Sequence, residues 1–129
     1  MLQQLADAYN DRDPDAWVAI WHPDCEWHPV LTRSEGHPGY HGHSGMRRWF
    51  EEVNEMYEYA ELDVYFDELR LVGDRLLVRG RLHAKGRGSG AEVTSDVGWV
   101  LETRGEKFRR AWGYISYEDA RRAAEEAAT

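Results

Sequence analysis

Residues 91–117, A-E-V-T-S-D-V-G-W-V-L-E-T-R-G-E-K-F-R-R-A-W-G-Y-I-S-Y, constrain this chain more than any other stretch. Two segments of alternating character flank Thr103-Arg104-Gly105-Glu106, which predicts a long antiparallel hairpin closed by a short glycine-containing turn. Alternation sorts the first arm into two faces. Val93, Val97, Trp99 and Leu101 share one, while Thr94, Asp96, Gly98 and Val100 share the other. In the second arm Phe108, Trp112 and Tyr114 oppose Ala111, Gly113 and Ile115. One face therefore carries bulk, and the other carries small residues and a single carboxylate, Asp96. A concave face of small residues leaves room for a ligand, and a charge there costs free energy unless it is partnered. On the residues alone Asp96 is either a pocket carboxylate or a solvated group near the open end of its strand.

The rest of the chain supplies helices and further strands. Leu2, Leu5, Ala6 and Tyr9 recur at helical spacing. Asp13 before Pro14 reads as an N-cap followed by proline at the first helical position, with Trp17, Ile20 and Trp21 on one face of a second helix. His22-Pro23-Asp24 is expected to end it, and 25–30 reads as a short strand. The stretch 31–43 is a long loop rich in glycine and histidine, a length often tied to function. Ser44 is expected to cap a third helix whose apolar stripe is Met46, Trp49, Phe50, Val53, Met56 and Tyr57. Alternation returns from Glu61 to Val72. After the Gly73-Asp74 turn a second long strand sets Leu76, Val78, Gly80, Leu82 and Ala84 against Arg75, Arg79, Arg81, His83 and Lys85. Residues 118–129 read as a short, loosely attached helical tail.

At 129 residues the chain is expected to form one domain, with no internal repeat. No apolar run approaches the ~18–20 residues that span a bilayer. The amino terminus lacks the basic segment and apolar core of a signal peptide. A single cysteine, Cys25, excludes an internal disulfide and fits a cytoplasmic protein. Sixteen basic residues against 24 acidic ones give a net charge of −8, which disfavours nucleic acid as a partner. Six tryptophans and seven tyrosines supply aromatic walls for a hydrophobic ligand.

Helix, helix, strand, helix and then long antiparallel strands make an α+β layout, with the helices segregated to one side of a curved sheet. The segments A-Y-N-D-R-D-P-D-A-W, H-P-D-C-E-W-H-P, G-Y-H-G-H-S-G-M-R-R-W-F, G-D-R-L-L-V-R-G-R and R-G-E-K-F-R-R…Y-I-S-Y-E-D-A run over nearly the whole chain in order. In these segments the chain resembles the nuclear transport factor 2-like superfamily, in its SnoaL-like and ketosteroid isomerase-like branch. The resemblance implies a cone whose interior lies between the concave sheet face and three N-terminal helices. Its interior strand positions would be Gly80, Leu82, Asp96, Gly98, Ala111, Gly113 and Ile115.

By the same resemblance Asp96 lies on the strand that carries a pocket carboxyl group, although Gly98 occupies the matching isomerase position. His28 falls at or beside the place of the isomerase general base, and Glu26 shares its parity. Whether the pair faces inward depends on a one-residue register choice. Leu5 stands where the isomerases hold an oxyanion-donating tyrosine, one turn before Tyr9. Trp49 matches an aromatic pocket position and Phe50 is its neighbour, with Trp17, Tyr40 and Leu82 as further walls. His37, His41 and His43 lack a supporting carboxylate spacing, so no metal is expected, nor any cofactor.

The expectation is a cofactor-independent acid/base enzyme, an isomerase, polyketide cyclase or lyase, acting on a hydrophobic cyclic carbonyl compound. Asp96 and His28 would be its catalytic pair. The alternative is a non-catalytic domain that binds a small molecule or a protein. Epoxide hydrolysis is weaker, because the interior Asp-Arg-Asp set is missing and Arg109 is the one arginine expected near Asp96. With Asp96 inward, the bulky face of Val97, Trp99, Leu101, Phe108, Trp112 and Tyr114 would lie outside. That much apolar surface predicts a homodimer through the convex sheet.

Overall fold

The computed structural model describes residues 2–29, 39–65 and 68–128. Helix α1 (Leu2–Asn10) buries Leu2, Leu5, Ala6 and Ala8. Helix α2 (Pro14–Ala19) starts as the sequence predicts: the Asp13 carboxylate accepts from the backbone N–H groups of Asp15 and Ala16 at 3.2 and 3.1 Å, and Pro14 follows it. Strand β1 (Trp21–His28) begins four residues earlier than expected, because Pro23 sits in a bulge where the pairing shifts between Trp21 and Glu26. Strand β2 (Tyr40–His41) leads into helix α3 (Gly42–Met56). That helix starts at Gly42, and its N-cap is not Ser44 but His41, three residues earlier, which makes no side-chain cap. Strand β3 (Tyr57–Val64) follows it without a loop. The single strand expected from Glu61 to Val72 is therefore two: β3, and a short β4 (Arg70–Val72). Strands β5 (Arg75–Gly86), β6 (Glu92–Arg104) and β7 (Lys107–Tyr114) and helix α4 (Tyr117–Ala128) complete the chain.

The strands form one sheet in the order β2-β1-β7-β6-β5-β3, with β4 also pairing β5. β1 lies parallel to β7, and the other pairs are antiparallel. The Gly105 turn, at φ 64°, closes the β6–β7 hairpin where the alternation predicts it. The sheet curls, and helices α1 to α3 pack into its concave side, the α+β cone that the family resemblance implies. Trp17, Trp21, Trp27, Met46, Trp49 and Phe108 are at the heart of this main core. Asn10 locks α1 to the sheet by imitating a strand. Its side-chain amide donates to the Leu62 carbonyl at 2.9 Å, and its oxygen accepts from the Leu62 N–H at 2.8 Å. Asn10→Ala strands both backbone groups and is expected to cost about 1–3 kcal/mol in urea unfolding; an unchanged midpoint would remove this clasp from the stability of the fold.

Helix α4 differs from its expectation. It is no loose tail but lies across the convex side of the sheet, where Ala120 and Ala124 are fully buried with Leu77 and Val100. Its small apolar stripe suffices because the helix comes close to the sheet. A Cβ on Gly98 would stand 2.7 Å from the Ala120 Cβ and 2.9 Å from the Tyr117 Cα. Gly98 is small so that a helix can cross it. No helix among the described residues is long and apolar enough to cross a membrane.

Candidate functional site

Inside the cone lies a cavity of about 130 Å³. Helix α1 contributes Leu2, Leu5 and Tyr9, and α3 contributes Trp49, Glu52, Val53 and Met56, at the i, i+3, i+4, i+7 spacing of one helix face. Strand β6 contributes Val97, Trp99 and Leu101, and β5 contributes Val78, Leu82 and Ala84. Trp17, Trp21, Trp27 and Tyr40 complete an aromatic wall. Successive rings touch: Trp17 and Trp21 lie 5.6 Å apart, Trp21 and Trp27 6.0 Å, and Trp17 and Trp49 5.3 Å. Four of the expected walls, Trp17, Tyr40, Trp49 and Leu82, therefore line the cavity. Phe50 does not; it stands behind the wall, 5.8 Å from Trp17 and 6.4 Å from Tyr9.

Asp96 and His28 lie outside the cavity, contrary to expectation. Asp96 is on the convex face with 48% of its side chain exposed, 3.6 Å from Arg79 and 3.8 Å from Arg81. The reason is the pairing of the hairpin. A register shift between Glu102 and Thr103 leaves Arg109 unpaired, so Phe108 and Ala111 both face the core although their numbers differ in parity. Large residues then stand opposite small ones: Trp99 pairs with Gly113, and Gly98 with Tyr114. Val97, Trp99 and Leu101 thus turn inward, and Thr94, Asp96 and Gly98 turn outward. Ile115, expected inside, follows β7 and is exposed.

The same placement removes the apolar patch expected to hold a dimer. Val97, Leu101 and Phe108 are buried in the monomer, Trp99 lines the cavity, and Tyr114, paired with the outward Gly98, packs against the cluster under α4. Trp112 remains on the convex side under the guanidinium of Arg75, 4.7 Å from its ring centre. Around it the convex face is charged and internally paired, Arg75 and Arg110 both meeting Glu102.

The register of β1 sends Trp27 inward beside Ala111 and His28 outward beside Trp112. The imidazole stacks on that indole at 6.0 Å and meets Glu26 at 3.4 Å. Arg109 approaches the same carboxylate at 3.5 Å, far from any set with Asp96. Partial burial pushes the Glu26 carboxyl up, but the hydrogen bonds from His28 and Arg109 outweigh it and leave the group below the usual carboxylate range. Of the loop histidines, His41 is exposed, His43 meets the Trp21 carbonyl at 2.7 Å, and His37 lies outside the described residues. Among the described residues no group of histidine, cysteine and carboxylate side chains could hold a metal.

Two polar features of the cavity were not singled out from sequence. Glu52 is the one carboxylate among the described lining residues, and the Tyr40 hydroxyl donates to it at 2.6 Å. Burial, then this bond to an anionic acceptor, pushes the Tyr40 phenol up to about 12, so at neutral pH the proton stays on Tyr40. Arg48 approaches Glu52 from the solvent side at 3.8 Å and lies over the Tyr40 ring at 5.3 Å. The second feature is Tyr9, one turn beyond Leu5. Its phenol is also raised, chiefly by burial and then by neighbouring Tyr57, and it makes no hydrogen bond to another described residue. The helical spacing of Glu52 from Trp49, and of Tyr9 from Leu5, was the available signal for both.

The fold is a cone with an apolar, aromatic cavity and a carboxylate at one side, and comparison identifies the family. Residues 2–111 match the SnoaL-like domain, and the chain belongs to that family. Solved structures agree on the fold. A protein with a ketosteroid isomerase-like fold from Catenulispora acidiphila, in complex with trimethylamine, is 16% identical, covers 89% of this chain and 84% of its own, and has a TM-score of 0.77. TerC co-crystallized with polyporic acid is 23% identical over 96% of this chain and 95% of its own, at a TM-score of 0.75. A polyketide cyclase-like protein from Xanthomonas campestris is 18% identical over 92% and 89%, at a TM-score of 0.73. No match was found among curated proteins.

Because Asp96 is exposed and already paired, Asp96→Asn is expected to change stability by less than ~0.5 kcal/mol and to leave ligand binding in the cavity unaltered. A loss of binding measured by calorimetry would return Asp96 to the site.

Proposed function

We propose that this SnoaL-like protein is a cofactor-independent acid/base enzyme that moves a proton next to the carbonyl group of a small hydrophobic ring compound. The carboxylate of Glu52, oriented by Tyr40, is the base. The observation that supports this reading most directly is the 2.6 Å Tyr40–Glu52 hydrogen bond on the wall of an otherwise apolar, aromatic cavity. A carboxylate on the wall of the cavity is within reach of a bound ring and can take a proton from carbon as a general base. Tyr40 stays protonated at neutral pH and holds one oxygen in place, which leaves the other lone pairs of the carboxylate for substrate. The buried Tyr9 phenol can donate to a substrate oxygen as negative charge develops there. That is the role Leu5 cannot supply. The test is Glu52→Gln in an assay of deuterium uptake from solvent at the carbon next to a cyclic ketone, which reads proton removal whatever product follows.

A second reading, binding without turnover, is favoured by the Arg48–Glu52 contact, which partly neutralises the base. It predicts no deuterium uptake above the buffer rate in the wild-type protein.

A further inference from the structure

Helix α3 runs from the closed end of the cone to an open one, and its inward stripe records the change. Met46 is 0% exposed and Trp49 7%, but the Glu52 side chain is 44% exposed and Met56 57%. In a view down the helix axis Met56 projects between Trp49 and Glu52. Its exposure therefore comes from its place along the helix and not from a turn away from the core. Glu52 and Met56 both line the cavity, while Trp21, Val78 and Leu101, which line it too, are shut off from solvent. Among the described residues Met56 is the one exposed large apolar side chain on the cavity wall. The mouth of the cone thus lies at the last turn of α3.

The backbone at this mouth is held, and the side chain over it is free to adapt. Arg87, in the turn between β5 and β6, donates from Nε to the Asn54 carbonyl and from its backbone N–H to the Met56 carbonyl, both at 3.0 Å. Those bonds satisfy two of the carbonyl groups that the end of a helix leaves open. Met56 is therefore an unbranched, flexible thioether on a fixed stem, the kind of side chain that moulds itself to irregular neighbours. The cavity has room for one ring: an apolar cavity of about 150 Å³ takes benzene, and this one is about 130 Å³. We infer that Met56 is a specificity-determining residue of the site. The ring enters with its unreactive side leading, and its reacting carbon stops at the mouth beside Glu52. A substituent on that carbon leaves the cone across Met56, and one on the opposite side of the ring meets the closed walls. This inference rests on the use of Glu52 proposed above and adds which way the ring points and which residue selects its substituents.

The test titrates three ketones into the intact protein, cyclohexanone, 2-propylcyclohexanone and 4-propylcyclohexanone, with dissociation constants read from tryptophan fluorescence. The 2-propyl compound is expected to bind within about 3-fold of cyclohexanone, or more tightly, because its chain lies on the Met56 thioether. The 4-propyl compound, pressed against closed walls, should bind at least ~10-fold more weakly than its isomer. Met56→Trp fills the mouth at an exposed position, so the core is left intact and the melting temperature should stay within a few degrees of wild type. In that variant 2-propylcyclohexanone is expected to weaken by at least ~10-fold relative to cyclohexanone. Equal binding of the two propyl isomers would overturn the orientation of the ring. A 2-propyl preference unmoved by Met56→Trp would overturn the role of Met56, and failure of all three ketones to bind would overturn both. Affinity is read here without turnover, which separates this inference from the proposed reaction. A wild-type protein with no deuterium uptake that still keeps these ratios sinks the reaction alone. Uptake that depends on Glu52, with ratios indifferent to Met56→Trp, sinks the selection by Met56 alone.

Discussion

Replacing Glu52 by glutamine is expected to lower solvent-deuterium uptake into a bound cyclic ketone by ~10²–10⁴-fold, the usual contribution of a positioned general base. The substitution is nearly isosteric. The glutamine Oε1 can still accept from the Tyr40 hydroxyl, which now reaches Glu52 at 2.6 Å, so the packing around the cavity is kept. What is lost is the lone pair basic enough to take a proton. The Arg48 contact, at 3.8 Å and with both side chains substantially exposed, contributes little to stability. The melting temperature of Glu52→Gln should therefore stay within a few degrees of wild type. A variant with wild-type stability and wild-type uptake would exclude Glu52 as the base. The same assay on His28→Gln is expected to show no change in uptake, because that imidazole faces Trp112 on the far side of the sheet.

A clear loss of stability is expected from Gly98→Ala. The glycine is not needed here for its backbone conformation. The added methyl group would lie 2.7 Å from the Ala120 Cβ, 2.9 Å from the Tyr117 Cα and 3.3 Å from the Ser116 carbonyl oxygen. Two of these neighbours are backbone atoms, and the third is a methyl with no torsion to turn it away. Helix α4 must therefore lift as a body, which exposes Ala120, Ala124, Leu77 and Val100 together. Overpacking of this kind costs about 1–3 kcal/mol, and for a domain of this size that is a fall of roughly 5–10 °C in melting temperature. Limited proteolysis should then cut between β7 and α4 faster than in the wild-type protein. An unchanged melting temperature would mean that α4 does not dock on the sheet in solution.

Much of the fold was legible because local patterns have local causes. Asp13 before Pro14 announces the start of α2, since the carboxylate supplies the acceptor that the first helical N–H groups lack. The 3.6-residue stripe of Met46, Trp49, Phe50 and Val53 makes α3, and the alternation on both sides of Gly105 makes the β6–β7 hairpin. The same stripe held Glu52, three residues from Trp49, but helical spacing alone does not separate a carboxylate on the cavity wall from one in solvent. Trp49 and Leu82 were expected as walls from the family resemblance and Trp17 and Tyr40 as further aromatic walls, and all four line the cavity.

Alternation fixes which residues share a face; it leaves open which face is inside. That was settled by contacts remote in sequence: the bulge that leaves Arg109 unpaired, the parallel pairing of β1 with β7, and the helix lying across Gly98. Small residues on one face meant close approach of α4, not room for a ligand, and so Asp96 went outward to its arginines. His28 followed from one step of register in β1, which turns every side chain of a strand over together. The sequence by itself determined most of the helices and the long strands, their order and the aromatic stock of the cavity. The tertiary structure decided the inside and the outside of the sheet, because the sign of a two-residue repeat is set only when another element comes to cover one of its faces.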